Sequence, residues 1–144
     1  MRKVLAVLGL VLISTDALAC SCVRYSVAER LAKVEGAYTV KVVGTRRTSI
    51  VFADSTYPGT ELTLKVVYPY KGSLTIGATF KANDLDDGGM CGIPVEIGTE
   101  VLIYRFAGAL SDYGACNTRR GDRMAADLDE LRKLLKRQQS GAGT

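Results

Sequence analysis

Cys20 and Cys22 stand one residue apart near the start of the chain, while Cys91 and Cys116 lie far along it. This spacing constrains the fold more than any other feature of the 144 residues. C-x-C is a poor match to the C-x₂-C hairpin of zinc sites and to the C-x-x-C of redox motifs. In an exported chain an even number of cysteines predicts disulfides. A Cys20–Cys22 bridge would close a strained small ring, because alternate residues of an extended segment point to opposite sides. The C-S-C segment is therefore expected to be tied twice to the body of the protein, with two pairings open. Loops of this length give a chain-entropy stabilisation of about 4–5 kcal/mol per bridge.

Export is read from residues 1–19. Arg2 and Lys3 precede an apolar run over residues 4–13, and Ala17-Leu18-Ala19 makes an A-x-A cleavage site,. The run is too short for a mature transmembrane helix, which needs about 20 residues. Cleavage after Ala19 leaves Cys20 first; a poorer site after Ala17 leaves Leu18 first. Small residues before a cysteine also fit a lipoprotein, but Leu18 stands one place later than that pattern prefers. The expected location is secreted, extracellular or periplasmic, with anchoring to the cell envelope through a lipidated Cys20 as the alternative.

Removing Arg2, Lys3 and Asp16 from 19 basic and 15 acidic residues leaves a net charge of +3. That balance is too weak and scattered to predict a nucleic-acid partner. With 47% hydrophobic and 24% charged residues the chain is expected to form one globular domain over residues 20–137, followed by a flexible tail over 138–144,. There is no histidine. This removes Ser-His-Asp and Cys-His catalysis, H-E-x-x-H zinc sites and imidazole proton transfer, so a self-contained enzyme is not expected. Asp84, Asp86 and Asp87 beside Gly88-Gly89 read as a solvated turn, or at most an incomplete calcium site. No cofactor of the protein's own is expected.

Ser26-Val27-Ala28-Glu29 forms a capping box that opens a helix with Val27, Leu31 and Val34 on one face, ending by Gly36. The period then becomes two. Strands are predicted over residues 37–43, 49–52, 61–68, 79–82 and 100–106, with a polar hairpin through Asp54, Pro58 and Gly59. A sixth short strand is placed between Gly108 and Cys116. Asp122 is the expected cap of a second helix, whose apolar face is Met124, Leu128, Leu131 and Leu135. The fold class is mainly β, α+β: a small, closed, five- to six-stranded barrel of the OB type with an N-terminal and a C-terminal helix. Tyr38, Phe52, Tyr57, Tyr68, Tyr70, Phe80, Tyr104 and Phe106 are candidates to stack bases in such a fold, but with so weak a net charge they are read as filling the barrel or its rim.

Cys20-Ser21-Cys22-Val23 at a predicted mature N-terminus resembles the start of the tissue inhibitors of metalloproteinases. The similarity continues through Tyr38-Thr39-Val40-Lys41-Val42-Val43-Gly44, Leu64-Lys65-Val66-Val67-Tyr68, Tyr70-Lys71-Gly72, Cys91-Gly92, Val101-Leu102-Ile103 and Cys116 before a closing helix. The resemblance implies a netrin-like barrel with bridges Cys20–Cys91 and Cys22–Cys116. It also implies a mechanism. The free amine and carbonyl of Cys20 chelate the catalytic zinc of a target metalloprotease and expel its water. Ser21 enters the primed-side pocket, Cys22 and Val23 follow the groove, and Gly88, Gly89 and Met90 form the second part of the inhibitory ridge. Arg24 and Tyr25 stand where that family commonly has proline, and the further cysteine pair of its vertebrate members is absent. The expected function is a secreted inhibitor of zinc metalloendopeptidases, the zinc being the target's. The alternative is a netrin-like envelope module without inhibitory activity, reaching the membrane only if Cys20 is lipidated.

Overall fold

The computed structural model describes residues 22–52, 54–85, 93–107 and 113–141. The chain enters through an extended segment and a helix, α1 (Val27–Lys33). The capping box forms as read: Ser26 Oγ accepts from the Glu29 N–H at 3.2 Å, and Glu29 Oε2 accepts from the Ser26 N–H at 2.8 Å. Val34 ends the helix in an extended conformation, its N–H still donating to the Arg30 carbonyl. Glu35 N–H then donates to the Arg105 carbonyl at 2.8 Å, so the helix passes without a loop into sheet pairing.

Five antiparallel strands follow: β1 (Gly36–Phe52), β2 (Ser55–Lys71), β3 (Thr79–Leu85), β4 (Glu100–Arg105) and β5 (Thr118–Arg119). They lie in the order β3-β2-β1-β4-β5. A helix, α2 (Gly121–Gly141), closes the described chain. Asp122 lies in its first turn rather than capping it. The molecule is thus mainly β, in a small, barrel-like α+β arrangement with a helix near each end.

The strands predicted over 37–43 and 49–52 are one strand. Residues 44–49 break the apolar alternation, yet their backbones pair with β2 as far as Phe52↔Ser55. Pro58 and Gly59 likewise lie within β2, opposite Ser49 and Thr48, and the hairpin turns at Asp54 with φ 64°. Three register shifts, between Ala37 and Tyr38, Thr39 and Val40, and Val42 and Gly44, bend β1 and strengthen its twist,. Its first half pairs with β4 as well as β2; as far as Thr48 its second half lies beside β2 residues that also pair with β3, and only residues 49–52 with 55–58 extend as a two-stranded tip. Gly59 sits where that tip leaves the sheet. A Cβ there would collide with the Ile50 side chain and lie 2.9 Å from the Asp84 carbonyl oxygen.

The sheet buries side chains on both faces. On one, Tyr38, Val40, Val42, Leu62, Leu64, Val66, Val101 and Ile103 pack with Tyr113. On the other, Ala37, Leu102 and Tyr104 pack with Val27 of α1, Val34 just after it and Leu131 of α2. The expected closure of the barrel is not found. Among the described residues β3 and β5 are the outer strands of the sheet and do not pair with each other, and β5 has two residues, too few to complete a shear-matched barrel,. The Tyr113 N–H donates to the Asn83 carbonyl on β3 at 3.2 Å. The expected sixth strand is also absent where described: residues 113–117 form bends and turns, and the pairing moves to Thr118–Arg119.

Candidate functional site

The described part of the C-x-C segment is an arm running from Cys22 to the cap of α1. Val23 is 65% exposed and Arg24 is exposed, whereas Cys22 and Tyr25 are half-buried. The chain therefore touches the body at Cys22 and Tyr25 and presents the two residues between them. Cys22 is bonded to Cys116, with Cα atoms 5.2 Å apart and a sequence separation of 94. This is one of the two bridges that the resemblance implies. Cys20, Ser21, Gly88, Gly89, Met90 and Cys91, and hence the expected Cys20–Cys91 bridge and most of the expected inhibitory ridge, lie outside the described residues.

Beneath the arm is a buried polar cluster. Arg30 is 5% exposed although it carries a guanidinium. Its Nη1 donates to the Cys116 carbonyl at 3.0 Å, and its Cζ lies 5.1 Å from the Tyr104 ring centre and 5.9 Å from that of Tyr25. Arg119 Nη1 donates to the same carbonyl at 3.2 Å. Arg119 Nε pairs with Asp127 Oδ2 at 3.4 Å, and the Tyr104 hydroxyl donates to that oxygen at 3.0 Å. Burial pushes the Tyr104 phenol well above its ordinary pKa, and the charge of Asp127 adds to this. Burial also lowers the Arg30 pKa, as does the neighbouring cation of Arg119. The cluster holds two cations against one carboxylate, so the Cys116 carbonyl takes up hydrogen bonds that a second acid would otherwise accept.

The arm borders a cleft of about 300 Å³ lined by Cys22, Val23, Tyr25, Arg30, Phe106 and Cys116 with Asn117. Two larger grooves, of about 380 and 430 Å³, flank Tyr70 beside α2 and do not include the cysteines. No family model and no curated protein matches this chain. Among the described residues no group of three His, Cys, Asp or Glu is placed to hold a metal ion.

Asp84 is 7% exposed on β3, which corrects its reading as part of a solvated turn; Asp86 and Asp87 lie outside the described residues. The reason is strand parity, since Asp84 shares the buried face of β3 with Ala82. Of the aromatic residues, Tyr38 and Tyr104 are core, whereas Tyr57 and Tyr68 are 42% and 49% exposed. Sequence reasoning missed Arg30, Arg119 and Asp127. Arg30 did carry a signal: three residues after Val27 and four before Val34, it falls on the apolar face of α1.

Proposed function

We propose that the protein inhibits zinc metalloendopeptidases through the N-terminal arm. The single observation that carries this reading is the mounting of the arm. Cys22 is bridged to Cys116, and the next two residues are exposed. In the proposed mechanism Cys20 is the mature N-terminus, and its amine and carbonyl occupy the open coordination position of a catalytic zinc. Ser21 fills the primed-side pocket, with Cys22 and Val23 along the groove. Gly88, Gly89 and Met90 supply a second contact segment, joined to the first by a Cys20–Cys91 bridge. The netrin-like assignment and export by cleavage after Ala19 belong to the same proposal. The order of elements supports it, because β3 leads directly into residues 86–91 and its Asn83 carbonyl is bonded to Tyr113, three residues before Cys116.

The test is inhibition of a panel of zinc endopeptidases by the mature protein and by a form with one Ala added before Cys20. The added residue displaces the amine from the metal and leaves the sheet and bridges unchanged, so inhibition is expected to vanish. Equal inhibition by both forms would exclude Cys20 as the ligand. Inhibition is also expected to weaken as the pH falls below about 8, because an α-amine with an ordinary pKa of about 7.7–8.0 must lose its proton to bind metal. The intact mass of protein from its own host decides the competing reading. Added lipid on Cys20 blocks the amine and identifies an anchored module instead.

A further inference from the structure

We propose that Arg30 is a positioning residue for the N-terminal arm, acting with Arg119 through the Cys116 carbonyl. The inference deepens the inhibitory reading and rests on it for its kinetic consequence. An arginine that is 5% exposed on a seven-residue helix is costly unless its donors and charge are met,. Among the described residues Arg30 forms no ion pair with a carboxylate. The nearby acid, Asp127, is engaged by Arg119 and Tyr104. Arg30 instead spends its charge on the backbone of a half-cystine and on two aromatic faces.

That arrangement holds both ends of the arm. At one end, two guanidiniums converge on the Cys116 carbonyl and restrain its peptide plane, while the disulfide carries that restraint to Cys22. A disulfide alone leaves rotation about the side-chain bonds of both cysteines; fixing the carbonyl removes part of it. At the other end, the Tyr25 ring is met by the Arg30 guanidinium at 5.9 Å and the Lys33 ammonium at 5.3 Å. The Arg30 side chain reaches both mounts. The exposed residues between them, Val23 and Arg24, are thereby ordered before any partner arrives, which reduces the entropy lost on binding.

The experiment compares wild type with Arg30→Met, which keeps the stem and removes the fork, and with Arg30→Lys, which restores the charge alone. Amide hydrogen exchange at Val23 and Arg24 is read together with the dissociation rate from the protease that wild type inhibits most tightly. Releasing the mount is expected to speed both by about tenfold, equivalent to one ordered side chain's entropy. Arg30→Lys is expected to recover part of the loss. Tyr25→Leu removes the other mount and one of the two ring faces on Arg30 but keeps the Arg30 hydrogen bond to the Cys116 carbonyl, and is expected to speed exchange at the same two amides even if Arg30→Met fails to fold. Wild-type exchange at Val23 and Arg24 in a folded Arg30→Met or Tyr25→Leu protein overturns the proposal. If exchange responds while wild type inhibits no protease in the panel, the positioning role stands and the inhibitory reading falls.

Discussion

The Glu29 carboxylate is the residue whose local chemistry is most directly testable. The backbone N–H of Ser26, then its hydroxyl, hold that carboxyl below the usual range. A depressed carboxylate contributes stability above its unfolded pKa and loses it as the pH falls through the folded value. Protection of the α1 amides is therefore expected to decline in acid below about pH 4.3, the ordinary glutamate value. Glu29→Gln keeps a side chain that can complete a capping box but does not titrate, so its α1 protection is expected to stay flat over the same window. Amide exchange between pH 3 and 6 checks both. The capping box was fully legible in the sequence, since each of its partners is fixed by a three-residue spacing. Arg30 was not. Periodicity registers apolar residues and is blind to a cation satisfied by ring faces and a carbonyl 86 residues away.

Among the elements, β1 and β2 show where pattern reading stops. Alternation marks a strand only where one face is buried, as at Tyr38, Val40 and Val42,. Beyond Gly44 the strand has lost β4 as a neighbour and its residues are largely exposed; backbone pairing, the buried Ile50 and the Arg46–Glu61 pair carry it to Phe52. Mostly polar residues suffice there, so the hairpin looked in sequence like two strands and a loop. Two glycines of this hairpin separate crowding from chain entropy. Gly59→Ala forces a Cβ against the Ile50 side chain and the Asp84 carbonyl, and is expected to destabilise by about 1–3 kcal/mol,. Gly44→Ala meets Thr63 atoms only at 3.5 Å, an ordinary contact, and is expected to be neutral or to stabilise by up to about 1 kcal/mol,. Urea unfolding midpoints of the two variants should move apart; a common shift would remove the crowding argument.

At the scale of the whole molecule, the Cys22–Cys116 bond closes a loop of 94 residues, and the chain-entropy estimate for such a loop is about 4.7 kcal/mol,. Replacing both cysteines with alanine is expected to lower unfolding stability by up to that amount. A change under about 1 kcal/mol would mean that the arm imposes little restraint on the unfolded chain. The β-rich class and the two flanking helices were legible in the sequence because each rests on local periodicity. The open sheet was not, because closure depends on how far β5 extends beside β3, and two paired residues leave no pattern to read. The bridge has another effect, one that concerns damage. Every described strand except the two residues of β5 lies between Cys22 and Cys116. A single peptide cut at the exposed hairpin tip near Asp54 would leave two fragments still joined as one covalent molecule, each retaining its own pairing partners in the sheet. For a protein proposed to meet proteases, the hairpin tip can then be nicked without the arm being lost: the bond that mounts the arm also keeps the broken halves in register.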